Sequence, residues 1–158
     1  MTLRIATEAD LKSITNLILL CSNQFILPEF TEQGRQLYLS SHTLEKMQER
    51  LMQFQYHVIE NAGGIVGTVG MQNNSHLFHL HVHPQFHGQG IGKNLWSAAE
   101  ANVLAQAKPE FITVNSSRFA VPFYKALGFN PNGELHYELN HQGLIHFPLK
   151  KVFGSHAT

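Results

Sequence analysis

The stretch SHLFHLHVHPQFHGQGIGKNLW, residues 75–96, changes its hydrophobic period once, and that change limits the folds open to this chain. Leu77, Leu80 and Val82 stand among histidines as in a strand, Pro84 turns the chain, and from about Ile91 the pattern is helical. Between them lie Gly88, Gly90 and Gly92. A strand, a glycine loop and a helix start in that order make an anion site, because loop N–H groups and the helix dipole converge on one point. Glycine lets the backbone approach a phosphate without a Cβ in the way and permits positive φ. Two phosphate motifs fail here. A P-loop needs Gly at 87 and Ser or Thr at 94, where this chain has His87 and Asn94; the dinucleotide fingerprint needs Gly where Lys93 stands.

What remains, V-x-P-x-F-x-G-x-G-I-G, resembles the acetyl-CoA-binding core of the GCN5-related N-acetyltransferase (GNAT) superfamily. The family pattern Gln/Arg-x-x-Gly-x-Gly/Ala reads here His87-Gly88-Gln89-Gly90-Ile91-Gly92, so the glycines match and the first position departs. A second block, FITVNSSRFAVPFYKALGF at 111–129, is similar to the later strand, helix and strand of that family. Its signature is Ala120, Tyr124 and Leu127-Gly128-Phe129, with Ser117 where the family often has Asn.

The resemblance implies an α/β fold in one domain over residues 1–153, with a short tail at 154–158. Its central sheet is mixed and mostly antiparallel, its central strands splay apart, and helices cover both faces. It further implies direct transfer of an acetyl group from acetyl-CoA, a co-substrate, to a primary amine of a small molecule or peptide. Pantetheine would pair with the backbone of Leu80, His81 and Val82. The pyrophosphate would rest on the amides of His87, Gly88, Gln89, Gly90, Ile91, Gly92 and Lys93, and Ser117, Ala120, Phe123 and Tyr124 would complete the cofactor wall. Tyr124 matches the tyrosine that protonates the departing thiolate; a phenol of pKa about 10 can serve a thiolate whose acid titrates near about 8.5. His76, six residues before Val82, is the first choice for the base, with His79 and His81 as runners-up. An unbulged strand puts those two on the face opposite His76, and a bulge would re-aim them. His79 is also expected near the acceptor, as are Glu29 and Phe30 of the apolar segment FILPEF. At position 87 an imidazole replaces a fixed charge, so backbone amides carry more of the anion binding.

Along the rest of the chain, Leu3–Ile5 reads as a strand. Thr7–Asp10 starts a helix with Leu11, Ile14, Leu17, Ile18 and Cys21 at helical spacing, which makes Cys21 a core or helix-end thiol. Residues 31–55 read as two helical pieces with a break near 40–43; Leu44, Met47, Leu51, Met52 and Phe54 give the second an apolar stripe. Strands at 56–60 and 65–71 flank the hairpin signal Asn61-Ala62-Gly63-Gly64. Then follow the organising strand, a helix over 90–107 with Trp96 in packing, a strand at 111–115 and a helix at 118–127. A strand near 129–139, a turn at 140–143 and a strand at 144–152 complete the pattern.

Eleven Lys+Arg balance eleven Asp+Glu, so no basic field points to nucleic acid. The single Cys21 allows no internal disulfide, and no long apolar run suggests a membrane span, so a cytoplasmic protein is expected. Dimerisation, common in the family, has no marker residue here. Two other readings compete with the enzyme. His79, His81 and His83 form H-x-H-x-H, a pattern found at some metal sites, although the favoured reading needs no metal. A GNAT fold can also bind acyl-CoA without turnover, since fold does not fix activity.

Overall fold

The computed structural model describes residues 1–132 and 143–154. Its elements follow from local signals. Asp10 accepts from Thr7 N–H at 2.8 Å and closes a short turn before α1 (Leu11–Phe25), whose Ile14, Leu17, Ile18 and Cys21 are all buried. The hydroxyls of Thr31 and Thr43 cap α2 (Glu32–Ser40) and α3 (Leu44–Gln53), accepting from Gly34 N–H and Lys46 N–H. The break between these helices falls where the sequence puts it. The core face of α3 is narrower than its stripe: Met47 is fully buried, whereas Leu44 and Met52 are 45% and 72% exposed.

Among the described residues seven strands form one open sheet in the order β1-β2-β3-β4-β5-β7-β6, from β1 (Thr2–Ile5), β2 (Gln55–Asn61), β3 (Gly64–Gln72), β4 (His76–Val82), β5 (Phe111–Ser116), β6 (Asn130–Pro131) and β7 (Phe147–Val152). Every neighbouring pair is antiparallel except β4 and β5. That pair joins across α4 (Ile91–Gln106), and α5 (Val121–Ala126) follows β5. One face of the sheet packs on α4, with Leu95, Trp96 and Phe129 meeting Leu77, Ile112 and Leu149. Trp96 is 2% exposed and meets Phe129 edge-on at 5.2 Å, a packing role. The other face packs on α1 and α3 through Ile14, Ile18, Met47, Tyr56 and Val58. The molecule is therefore an α/β sandwich of helix, sheet and helix.

Two boundaries differ from the sequence reading, and a third element is described only in part. The helix expected at 118–127 begins at Val121, because residues 118–120 form a turn and Pro122 fixes φ in the first helical turn. The strand expected over 144–152 begins at Phe147; Leu144, Ile145 and His146 instead line the cleft described below. Of the strand expected near 129–139 the described part ends at Pro131, and most of that element, like the turn residues 140–142, lies outside the described residues. Among the described residues no helix is long and apolar enough to cross a membrane.

Candidate functional site

Two features of β4 create the site. Its parallel ladder with β5 has only two pairs, His76 with Thr113 and Leu77 with Val114, after which the strands diverge. Its register with β3 slips between Gly70 and Met71, so that Phe78 is an extra residue on β4, a bulge. Leu77, Leu80 and Val82 belong to the α4 side. His76, Phe78, His79 and His81 share the other face, as their ring contacts of 6.3, 4.7 and 5.8 Å along the series demonstrate. The bulge thus brings His79 and His81 round to the face of His76.

A cleft of about 890 Å³ opens where β4 and β5 part, and it is lined from both faces of the sheet. On the α4 side, Gly90 starts the helix at φ 79° and Gly88 precedes it at φ 78°, conformations in which a Cβ is strained. The N–H groups of residues 88–93 have no hydrogen-bond acceptor among the described residues, and Gly88, Gly90, Ile91, Gly92 and Lys93 line the cleft. Gln89 does not line it. A Cβ at Gly92 would lie 3.1 Å from the Phe123 ring, so glycine there keeps α4 close to α5. Ser117 lines the opposite wall, and its hydroxyl accepts from Ala120 N–H at 3.2 Å. These unpartnered donors, with Lys93 beside them, fit a diphosphate.

Three assignments need correction. The backbone of His81 is not open to a ligand: His83 N–H donates to Val66 O across β3 and β4, so the alternation of the ladder turns His81 toward Thr68 and turns Leu80 and Val82 toward the cleft. Nor is the Val82 carbonyl vacant. It accepts from His87 Nε2 at 2.7 Å and from the Cys21 thiol at 3.3 Å, which leaves the Leu80 backbone and the Val82 N–H turned toward the cleft. His87 is accordingly folded back onto the end of β4, stacked with Phe25 and Phe119 at 5.5 and 6.0 Å. Glu29 lies outside the cleft and is held by Arg118 Nε at 2.8 Å, so it is engaged before any amine arrives.

Tyr124 lines the cleft from α5, packed between Phe123 and Phe129, with no hydrogen-bond partner for its hydroxyl among the described residues. Burial raises its phenol well above the usual value. Ala120 and Phe123 line the same wall, and Phe30 lines the far one. His76 stands at the closed end of the divergence with Nδ1 2.7 Å from Thr113 Oγ1; burial lowers its pKa. Thr113 Oγ1 lies 3.4 Å from Ser75 O, which orients the hydroxyl to accept from the ring and leaves Nε2 as a lone pair. The His81 ring has no hydrogen-bond partner among the described residues, and burial pushes it down to about 4. Cys21 is buried and pushed up to about 11, a protonated thiol.

His42 and Tyr56 carry no signal in the sequence. His42, from the break between α2 and α3, sets its Nε2 2.9 Å from His79 Nε2, and Tyr56 Oη lies 2.7 Å from His79 Nδ1. His42 Nδ1 is 2.8 Å from Tyr38 O, an atom that only accepts, so His42 carries its proton there. The chain then has one direction: Tyr56 O–H to His79 Nδ1, His79 Nε2–H to His42 Nε2, and His42 Nδ1–H to Tyr38 O. Burial holds both imidazoles neutral, His42 at about 4 and His79 well below its usual value. Among the described residues no cluster of His, Cys, Asp or Glu has the form of a metal site, and His83 instead accepts from Gln85 N–H at 3.2 Å.

A family model described as an acetyltransferase (GNAT) domain matches residues 26–153. The uncharacterized protein YrkN of Bacillus subtilis strain 168 is 33% identical over 73 residues, which span 44% of this chain and 40% of that protein. A GCN5-related N-acetyltransferase from Rhodopseudomonas palustris superposes with a TM-score of 0.82 at 20% identity, covering 96% of this chain and 94% of its own. The PaiA N-acetyltransferase of Thermoplasma acidophilum, solved in complex with coenzyme A, gives 0.77 at 15% identity, covering 97% and 100%. At such identities the structural likeness shows the fold.

Proposed function

The chain belongs to the GNAT acetyltransferase family, and from that premise we propose that it moves an acetyl group from acetyl-CoA directly onto a primary amine of a small molecule or peptide. The observation that carries this reading is the parting of β4 from β5 beyond Leu77 and Val114, beside the unpartnered amides of residues 88–93. Acetyl-CoA supplies an activated acyl group and a thiol leaving group. The amides and the α4 N-terminus would hold its diphosphate, and Leu80 would meet its pantetheine arm. His76 Nε2, with Nδ1 fixed by Thr113, takes the proton lost by the attacking nitrogen, and Tyr124 gives its proton to the leaving sulfur. A cytoplasmic location, and partners that include no nucleic acid, membrane or metal, belong to the same proposal.

The test is thermal melting with acetyl-CoA, followed by CoA release over a panel of amines. Expected are a melting point that rises with acetyl-CoA and CoA release that needs an amine; at one hundred times Kd the stabilisation is about 2.7 kcal/mol. Binding with no turnover on any amine would leave an acyl-CoA-binding module, and stabilisation by zinc alone would favour the H-x-H-x-H metal reading.

A further inference from the structure

The part of the cleft that faces α1 and α2 is walled by rings. Phe30, Tyr38, Phe78 and His42 line it with His79 and His81. Its imidazoles are held neutral by geometry as much as by burial: the facing Nε2 atoms of His42 and His79 have one proton between them, and Tyr38 O and Tyr56 O–H fix the outer ends. Among the described residues the charge behind this wall is positive. The Arg50 guanidinium lies 4.9 Å over the Phe78 ring, and its Nη1 is 3.4 Å from Met47 Sδ. Lys93 lines the far end, and the Glu29 carboxylate is outside, bound to Arg118.

An ammonium entering this space would lose its water and meet neutral imidazoles, with the Arg50 guanidinium of its own sign behind Phe78. Attraction to ring faces offsets only part of that loss, and one face of Phe78 already carries Arg50. A flat apolar body, by contrast, matches the ring walls. Resting on the acetyl-transfer reading, we propose that the acceptor is an amine uncharged at neutral pH and carried on a flat apolar body, the arylamine class. In the reaction the new C–N bond forms as the C–S bond breaks. The nitrogen's proton passes to His76 Nε2 and the Tyr124 proton to the sulfur. With its pKa lowered by burial, His76 is a poor acceptor from an alkylammonium. It suffices for the far more acidic nitrogen formed as an arylamine is acylated.

The experiment compares two isomers, para-ethylaniline and phenethylamine, which share one molecular formula and differ in whether nitrogen sits on the ring. Spermidine is the multiply charged control, and each is assayed with acetyl-CoA and the full chain at neutral pH. The expected kcat/KM for the aniline exceeds that for its isomer by at least about tenfold. Ile26→Asp, which sets a carboxylate on the wall of the cleft, is expected to narrow that ratio. Equal or better use of phenethylamine or spermidine by the wild type overturns the inference and leaves the acetyl-transfer reading standing. Acetyl-CoA binding without consumption of any amine overturns both. The wild-type comparison decides the matter even if Ile26→Asp does not fold.

Discussion

Lowering the pH should destabilise this protein before its carboxylates titrate, and the cause is the imidazole cluster of His42 with His79 and His81 of β4. His42, His79 and His81 are all held below the usual histidine value by burial. A group whose folded pKa is depressed in this way binds fewer protons in the native state than in the unfolded one. Stability is therefore complete above about pH 6.5 and falls as pH drops toward 4. At about pH 5.5 each ring costs about 1.4 kcal/mol to keep neutral, so three cost about 4 kcal/mol. That is a large share of the roughly 5–15 kcal/mol that holds a domain together. Asp10 does not contribute in this window, because Arg4 holds its carboxyl at about 2. The measurement is urea unfolding at about pH 7.5, 6.5 and 5.5 for the wild type and for His42→Phe. The variant keeps a ring against Tyr38, which now stacks on His42 at 4.1 Å, and strands the His79 Nε2–H at a cost of about 1–3 kcal/mol at every pH. Its drop between pH 7.5 and 5.5 should be smaller by about 1.4 kcal/mol, one proton's worth. A wild-type profile flat to within about 1 kcal/mol, or a variant profile as steep as the wild type, would refute the reasoning.

Tyr124→Phe removes a hydroxyl with no partner among the described residues and keeps the ring between Phe123 and Phe129. Its melting point should stay unchanged while kcat falls by about 10²–10⁴-fold, read by CoA release. Gly92→Ala pushes a methyl to 3.1 Å from Phe123 at the mouth of the anion loop. It should weaken acetyl-CoA binding by about tenfold in calorimetry, with a smaller effect on the melting point. Gly90→Ala places a side chain at φ 79° and should cost about 1–2 kcal/mol in chemical denaturation. Glu29→Gln breaks a surface pair with Arg118; it should change stability by less than about 1 kcal/mol and leave the acceptor KM within about twofold.

What the sequence disclosed, it disclosed where a local backbone need picks out a residue type. The glycines before α4 and the hairpin at Asn61–Gly64 are of that kind, and each lies where the pattern puts it. Tyr124 was picked out by the resemblance of its block to the family signature, and it lines the cleft. The His42 contact was not, because two residues 37 positions apart meet only after α2, α3 and β4 have packed. Leu144 to His146 misled for another reason: a run that reads as the start of a strand has cleft-lining work to do before β7 begins. The fate of Glu29 was equally hidden, since its partner Arg118 lies 89 residues away.

One extra residue ties the two halves of the site together. A bulge increases the twist of its strand and interrupts the ladder, and at Phe78 it falls one step beyond the last pair of β4 with β5. The place where β4 turns its backbone toward the cleft is thus the place where its side chains change face. Without the bulge, His79 and His81 would point with Leu77 into the α4 core, where unpaired imidazoles are costly. With it, they lie on the face of Tyr56 and His42, and Leu80 and Val82 take the α4 side. Gly70 completes the arrangement, because any Cβ there would strike the Tyr56 ring that lies over it and carry the hydroxyl away from His79. The parting of β4 from β5 and the neutral imidazole wall therefore meet at the same local irregularity, and a change that repairs the β4 register is expected to alter both.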